Sequence, residues 1–351
     1  MTTGTLNSIQ GLRAAAALAV LACHLWGWER GQAGVDLFFV VSGFVIAYSA
    51  ERFYTRPSAW MEFIRHRLAR VVPLYWLVTA AVLGHAVWTH PSLESAGFSA
   101  GQVAASFAFF PWPAPTGTML PVVPLGWSLN FEMFFYMLFA CALMLPRATA
   151  IAAVSGVLIV GVALNATVGL PTRPLAYAFQ PIMLEFVFGA TVALIYRRGV
   201  QLLPWARIAF ALGGLCVMAL APPHLERTVI WGLPAAAIVA AAVLGPDLRR
   251  ISPLNLLGDA SYSIYLCHIF IIDAGRQLGM DGFLLVALTV VACVGIHRLV
   301  ERPITAFLYA RTAPNRRPAS APVRGEGASR PVAQSSNCGD VGVQPGAGAL
   351  I

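Results

Sequence analysis

Apolar residues in this chain gather into long runs separated by short polar breaks, a pattern with the length of bilayer-crossing helices rather than of soluble core elements. We read ten such runs: 10–28, 35–50, 71–88, 127–145, 149–170, 178–196, 205–221, 228–245, 256–275 and 282–300. Between the third and fourth, residues 89–126 are rich in Pro and Gly and form a long outward connection. Within it, residues 103–112 predict a short apolar helix at the membrane interface. After about Tyr309 the pattern gives way to Pro, Gly, Ser, Ala and Arg, the composition of a disordered tail. The expected architecture is an all-α polytopic membrane domain over residues 1–309, with about ten transmembrane helices, and a disordered cytoplasmic tail over 310–351. The chain shows neither an internal repeat nor an appended soluble domain.

Two polar residues interrupt the first run. Arg13 and His24 are eleven positions apart, close to three helical turns, so they share a helix face at heights differing by ~16 Å. That is about half of a hydrocarbon core ~30 Å thick. An ionisable side chain inside a membrane span is costly and marks a functional site by default. One helix face thus carries a cation toward one side of the bilayer and a titratable imidazole toward the other, which suggests transfer across a membrane.

Composition agrees, with 58% hydrophobic and 11% charged residues and a mean hydropathy of +0.72. All 23 basic residues are arginines, and their positions set the orientation. With the amino terminus inside, eleven arginines fall in inward connections (52, 56, 65, 67, 70, 147, 197, 198, 207, 249 and 250) and four in outward ones (30, 173, 227 and 276). This satisfies the positive-inside rule and places both termini in the cytoplasm. The net charge of +8 then reflects topology and attraction to anionic lipid, not nucleic-acid binding. Arg13 breaks the apolar stretch that a signal peptide would need, so the first run is an uncleaved helix. Cys23, Cys141, Cys216, Cys267 and Cys293 stand singly in apolar runs and read as small packing residues; no metal site is expected.

Alternating helix direction sorts the polar residues by depth. His24, Asp36, Glu132, Glu185 and His268 fall in the outer half and predict one outward-open cavity. Arg13, the cluster Arg65-His66-Arg67-Leu68-Ala69-Arg70, Asp259, His297 and Glu301 fall in the inner half. An anionic reactant inside and a neutral or hydroxylic one outside would suit this division.

The local patterns carry a resemblance. Arg13-X10-His24, Gly34-Val35-Asp36-Leu37-Phe38-Phe39-Val40-Val41-Ser42-Gly43-Phe44 and Arg65-His66-Arg67-Leu68-Ala69-Arg70-Val71-Val72-Pro73-Leu74-Tyr75-Trp76 come first. Trp127-Ser128-Leu129-Asn130-Phe131-Glu132, Leu257-Gly258-Asp259-Ala260-Ser261-Tyr262-Ser263-Ile264-Tyr265-Leu266-Cys267-His268 and Glu301-Arg302-Pro303 follow in order. Together, from Ile9 to Leu308, they resemble the membrane acyltransferase-3 family, and in style its bacterial exopolysaccharide and O-antigen O-acetyltransferases. The resemblance implies an integral O-acyltransferase of the bacterial inner membrane. It would move an acyl group, acetyl by preference, from cytoplasmic acetyl-CoA to a sugar hydroxyl of an extracytoplasmic or lipid-linked glycan. No permanently bound cofactor is implied; acyl-CoA is the donor substrate. Partners would be membrane lipid, the glycan acceptor and proteins of polysaccharide assembly.

On that reading Arg65, Arg67 and Arg70 take the phosphates of the donor, which guanidinium groups suit by bidentate hydrogen bonding. Arg13, deeper, sits by the acyl end. His24 acts on the acceptor, as the base that removes the hydroxyl proton or as a carrier of the acyl group, with Asp36 or Glu132 fixing its tautomer. Asn130, Ser128, Tyr265 and His268 are candidates for holding the acceptor. Plain structural readings stand beside these. The arginine cluster can anchor the protein to lipid, Ser42 and Gly43 suit close helix packing, and Asp36 and Glu132 suit helix starts. His297 and Glu301 read as a hydrogen-bonded pair. The rival function is a proton-coupled transporter or glycan exporter, because buried Asp, Glu and His also mark proton relays. A non-catalytic assembly scaffold would leave the intramembrane charges unexplained.

Overall fold

The structure is a computed structural model that describes residues 6–222 and 224–312. Every described element is helical. The α-helices are α1 (Asn7–Trp26), α2 (Ala33–Ser49), α3 (Ala59–Thr89), α4 (Ala100–Phe107), α5 (Trp127–Ala142), α6 (Arg147–Thr167) and α7 (Arg173–Ala178). They continue as α8 (Leu184–Arg197), α9 (Pro204–Leu220), α10 (Leu233–Val243), α11 (Ser252–Asp259), α12 (Ser261–Gln277), α13 (Gly282–Ile296) and α14 (Arg302–Thr312).

Each predicted run is represented by a helix, but the helices are not equal. Six stretches are long and apolar enough to cross a membrane: Asn7–Trp26, Glu29–Arg52, Ala59–Thr89, Pro124–Ala142, Arg147–Thr167 and Gly282–Arg311. The run expected at 256–275 is a bent pair, α11 and α12, with 70° between the two helices. The runs at 205–221 and 228–245 give shorter apolar helices, Pro204–Leu220 and Thr228–Val243. The helix expected over 103–112 runs instead over Ala100–Phe107, with Ser99 accepting the Gln102 amide at its start, and the chain turns through a positive φ at Phe109. The tail boundary also moves. α14 continues to Thr312, and the rest of the predicted disordered tail lies outside the described residues.

Outward-facing surfaces are strongly apolar. Ile159 and Val160 on α6, Ile208 and Leu212 on α9, and Phe283 and Val291 on α13 are exposed. A soluble monomer rarely leaves such a contiguous surface to water, and this is the lipid-facing exterior of a membrane protein. The core draws mainly on α1, α2, α3, α5, α6, α8, α10 and α12. α2 packs most extensively on α8, through two glycines. A Cβ on Gly43 would collide with the Phe186 carbonyl, and one on Gly189 with that of Val40. The expected packing role of Gly43 is therefore physical: only hydrogen at these positions lets the two backbones touch.

α1 carries the polar face of interest. Its alanine-rich sequence favours the helix, and Gly27 ends it at φ 68°. Leu6 at the N-cap offers no side-chain acceptor, so the free amides are satisfied from a distance: Asp247 accepts from the amides of Asn7 (2.9 Å) and Ser8 (2.8 Å). Burial alone would raise the Asp247 pKa. Hydrogen bonds from Ser8, Asn7 and Leu248 outweigh it and hold the carboxyl below its ordinary value.

Candidate active site

A cavity of about 110 Å³ opens among α1, α2, α3, α5 and α12. Arg13, Arg67, Arg70 and Glu132 bring charge to its wall, with Ser42, Ser128, Tyr136, Ser261, Tyr262 and Tyr265 as neutral polar groups. Arg13, 8% exposed, donates to Ser261 Oγ at 2.9 Å. Arg67 donates to Ser49 Oγ at 2.6 Å and lies over the rings of Phe63 and Tyr136. Glu132 accepts from Ser42 Oγ at 2.9 Å and Tyr136 OH at 2.5 Å. Among the described residues, none of the three guanidinium groups is in ion-pair contact with a carboxylate. Two buried guanidinium groups, Arg13 and Arg67, and half-buried Arg70 face one carboxylate in the cavity wall, an excess of positive charge that a low-dielectric site tolerates poorly. An anionic group entering the cavity would relieve it.

Arg65 does not join them. It is two residues from Arg67, on the other side of α3, and is exposed. The expectation that all three arginines of the cluster act together is corrected by helix geometry, which puts 67 and 70 on one face.

A second site lies higher on the same two helices. His24 Nδ1 is 3.0 Å from the Val20 carbonyl and 3.2 Å from His268 Nε2, while His268 Nδ1 is 2.8 Å from the Ile264 carbonyl. A carbonyl only accepts, so Nδ1 carries the proton on each ring, and His268 Nε2 is left to accept from His24. His24 Nε2 therefore keeps its lone pair, on a ring that is exposed. Arg13 and His24 both contact α12, at Ser261 and His268 in ascending order, so the two residues do share a face and α1 runs parallel to α12. Tyr265, three residues before His268, brings the cavity wall to within ~4.5 Å, one rise of three residues, of the histidine pair along α12. Its hydroxyl bonds Ser128 Oγ (2.8 Å) and the Leu125 carbonyl (3.0 Å).

The single outer cavity expected from depth divides into separate groups. Asp36 does not orient His24; it forms a bidentate pair with Arg227, at 2.9 and 2.7 Å. Glu132 belongs with Arg13 rather than with the outer group. Glu185, 0% exposed, has both carboxylate oxygens without a hydrogen-bond partner and packs on Gly232. His268 is 0% exposed and lies under His24, so it is closed to an acceptor. Asn130 is buried with neither amide atom bonded, and it does not line the cavity. His297 and Glu301 pair at 2.9 Å, and Ser263 also donates to Glu301, at 2.6 Å. No group of three or more metal-binding side chains occurs among the described residues.

Sequence reasoning missed Ser261 as the partner of Arg13 and Arg227 as the partner of Asp36. These contacts close over 248 and 191 residues, and no local spacing signals them. Ser42 was read as a packing residue, yet its hydroxyl holds Glu132. The one available signal was position: Ser42 falls on the helix face that also carries Val35, Phe38 and Val45 of the cavity wall.

A polar cavity among apolar, bilayer-length helices is the mark of a membrane protein that handles a polar ligand, and comparison with known proteins supplies its chemistry. The family described as "Acyltransferase domain" matches residues 6–298. The exopolysaccharide production protein ExoZ of Rhizobium meliloti (strain 1021) is 35% identical over 293 residues, 78% of this chain and 89% of the relative. The acyltransferase MdmB of Streptomyces mycarofaciens is 30% identical, over 87% of this chain and 93% of its own. The peptidoglycan O-acetyltransferase OatA of Listeria monocytogenes is 29% identical over 39% of this chain and 24% of the relative. No solved structure matches. The chain belongs to the acyltransferase-3 family and is an acyltransferase, which sets aside the transporter reading.

Proposed function

We propose that this acyltransferase carries an acetyl group from cytoplasmic acetyl-CoA to a sugar hydroxyl on the outer side of a bacterial inner membrane. The observation that carries the reading is the cavity with three guanidinium groups, none of them ion-paired with a carboxylate among the described residues. A donor bearing several phosphates supplies the missing anion, and arginine suits phosphate by geometry as well as charge. At about 110 Å³ the cavity takes one end of such a donor, since whole-ligand pockets run to about 300–1,000 Å³. Arg67 and Arg70 meet phosphate oxygens, Arg13 lies next along the acyl arm, and exposed Arg65 serves as a lipid anchor.

The chemistry falls to His24. Its Nε2 takes the proton of the sugar hydroxyl, the oxygen attacks the thioester carbonyl carbon, and the carbon–sulfur bond breaks. Coenzyme A leaves as a thiolate and receives the proton from the imidazolium. A covalent variant, with the acetyl group first on Nε2, uses the same lone pair. The names of ExoZ and OatA, which refer to exopolysaccharide and to peptidoglycan, favour a glycan acceptor, free or lipid-linked. Ten crossings with both termini inside accord with the eleven inward arginines and with α1 and α12 running parallel, as two outward-going crossings must.

Membranes containing wild type or His24→Ala at matched abundance, given radiolabelled acetyl-CoA, test the reading. Alkali-labile label on the host glycan should appear with wild type and fall at least 100-fold with the variant. Intact acetyl-CoA and an unlabelled glycan in the wild-type sample would remove the donor assignment.

A further inference from the structure

The acyltransferase reading needs a base whose lone pair faces the acceptor, and the structure has a dedicated device for this. We propose that His268 is a positioning residue: its Nε2 accepts the Nδ1 proton of His24 and so presents His24 Nε2 to the reacting hydroxyl. The proposal rests on the acetyl-transfer reading for its kinetic arm only.

The geometry determines both tautomers in order. His268 is completely buried, with Nδ1 2.8 Å from the Ile264 carbonyl. That carbonyl is one turn back on the same helix and accepts a proton, so His268 Nε2 is an acceptor with one neighbour in reach, His24 Nδ1 at 3.2 Å. The ring centroids are 4.9 Å apart with the planes at 60°, and the two facing nitrogens are within hydrogen-bond distance of each other. His24 Nδ1 also sees the Val20 carbonyl at 3.0 Å, so its proton is shared between a backbone acceptor on its own helix and an imidazole on α12. The Val20 carbonyl restrains the ring only relative to α1. His268 ties it to the helix that also holds Ser261 beneath Arg13 and Tyr265 in the cavity wall.

Charged groups nearby do not take this role. Arg276 donates to the Leu25 carbonyl at 2.6 Å, Arg30 to the carbonyls of Met218 and Ala221, and Asp36 is committed to Arg227. Among the described residues no carboxylate bonds either imidazole. In the serine-protease triad an aspartate holds the histidine tautomer. Here a neutral ring does so, at a depth where a second unpaired carboxylate would be expensive.

The test uses the purified full chain in detergent, as wild type, His268→Leu and His268→Gln, with folding checked by thermal unfolding. Long-range ¹H–¹⁵N spectra of histidine-labelled protein read the His24 tautomer without any substrate. Wild type and His268→Gln, whose amide oxygen accepts in place of the ring nitrogen, should show His24 protonated at Nδ1. His268→Leu should move the population toward the Nε2 proton. In acetyl transfer, His268→Leu should lower kcat by about 10- to 100-fold with KM for the acceptor unchanged, short of the ~10²–10⁴ that a whole general base contributes. His268→Gln should restore most of it. A His24 tautomer that stays fixed in His268→Leu would show that Val20 suffices and overturn the proposal. So would an unchanged kcat, or a glutamine variant no better than leucine. Wild type without any acetyl transfer would instead count against the donor and acceptor reading, while the spectra still decide the role of His268.

Discussion

Individual side chains here differ less in type than in whether they find a partner. Asp36 and Glu185 are fully buried carboxylates that lie close enough to interact, yet Asp36 holds Arg227 by two hydrogen bonds and Glu185 has no cation of its own among the described residues. Asp36→Asn should cost about 2 kcal/mol, less than the ~3–5 kcal/mol of a fully buried pair because Arg227 is partly in solvent. Glu185→Gln should leave the unfolding temperature unchanged or higher, because it removes an ionisable group beside Asp36 while an amide can keep a hydrogen bond to it. Thermal unfolding of the two variants side by side checks both. Arg13→Lys keeps a charge but loses the planar fork that reaches Ser261 and Gln10. It should raise KM for acetyl-CoA about 10-fold, and a KM equal to wild type would show that charge alone suffices.

At the level of elements, the start of α1 depends on a residue some 240 positions away, Asp247. Because this carboxyl is held below its ordinary pKa, its contribution is complete above about pH 4, the unfolded-state value, and is lost as pH falls through the lowered one. Asp247→Asn should therefore lower stability by about 1 kcal/mol at neutral pH, the scale of a helix cap, and the gap from wild type should close below about pH 4. Melting curves of the two proteins from pH 3 to 7 measure it. The α2–α8 contact makes a sharper demand. Gly189→Val should destabilise by about 1–3 kcal/mol or more, since its Cβ would press on the backbone of both Val40 and Phe44. Helix existence was legible in the sequence because apolar runs of this length have one stable form in a bilayer. Helix length and bending were not. The 70° bend after Asp259 sits within a run that reads as continuous, because apolar content does not encode where the backbone turns.

Across the whole molecule, what the sequence revealed of the candidate site was its vertical arrangement on one helix, Arg13 below His24, since helix periodicity fixes which residues share a face. What it hid was the neighbour of each face. His268 lies closed beneath His24, and Asp36 pairs with Arg227 rather than His24, because pairing between distant helices is decided by how the bundle closes, not by spacing along the chain. The parallel course of α1 and α12 also has a consequence for how the protein is made. The contacts that join them span more than 240 residues, 248 for Arg13 with Ser261, 244 for His24 with His268 and 251 for Leu25 with Arg276. At ~5–20 residues per second the first helix waits roughly 12–50 s in the bilayer before its partner is synthesised. For that interval Arg13 has no Ser261 to bond, and only lipid headgroups, water or the insertion machinery can shelter its charge. The candidate site is therefore complete only after α12 has joined α1.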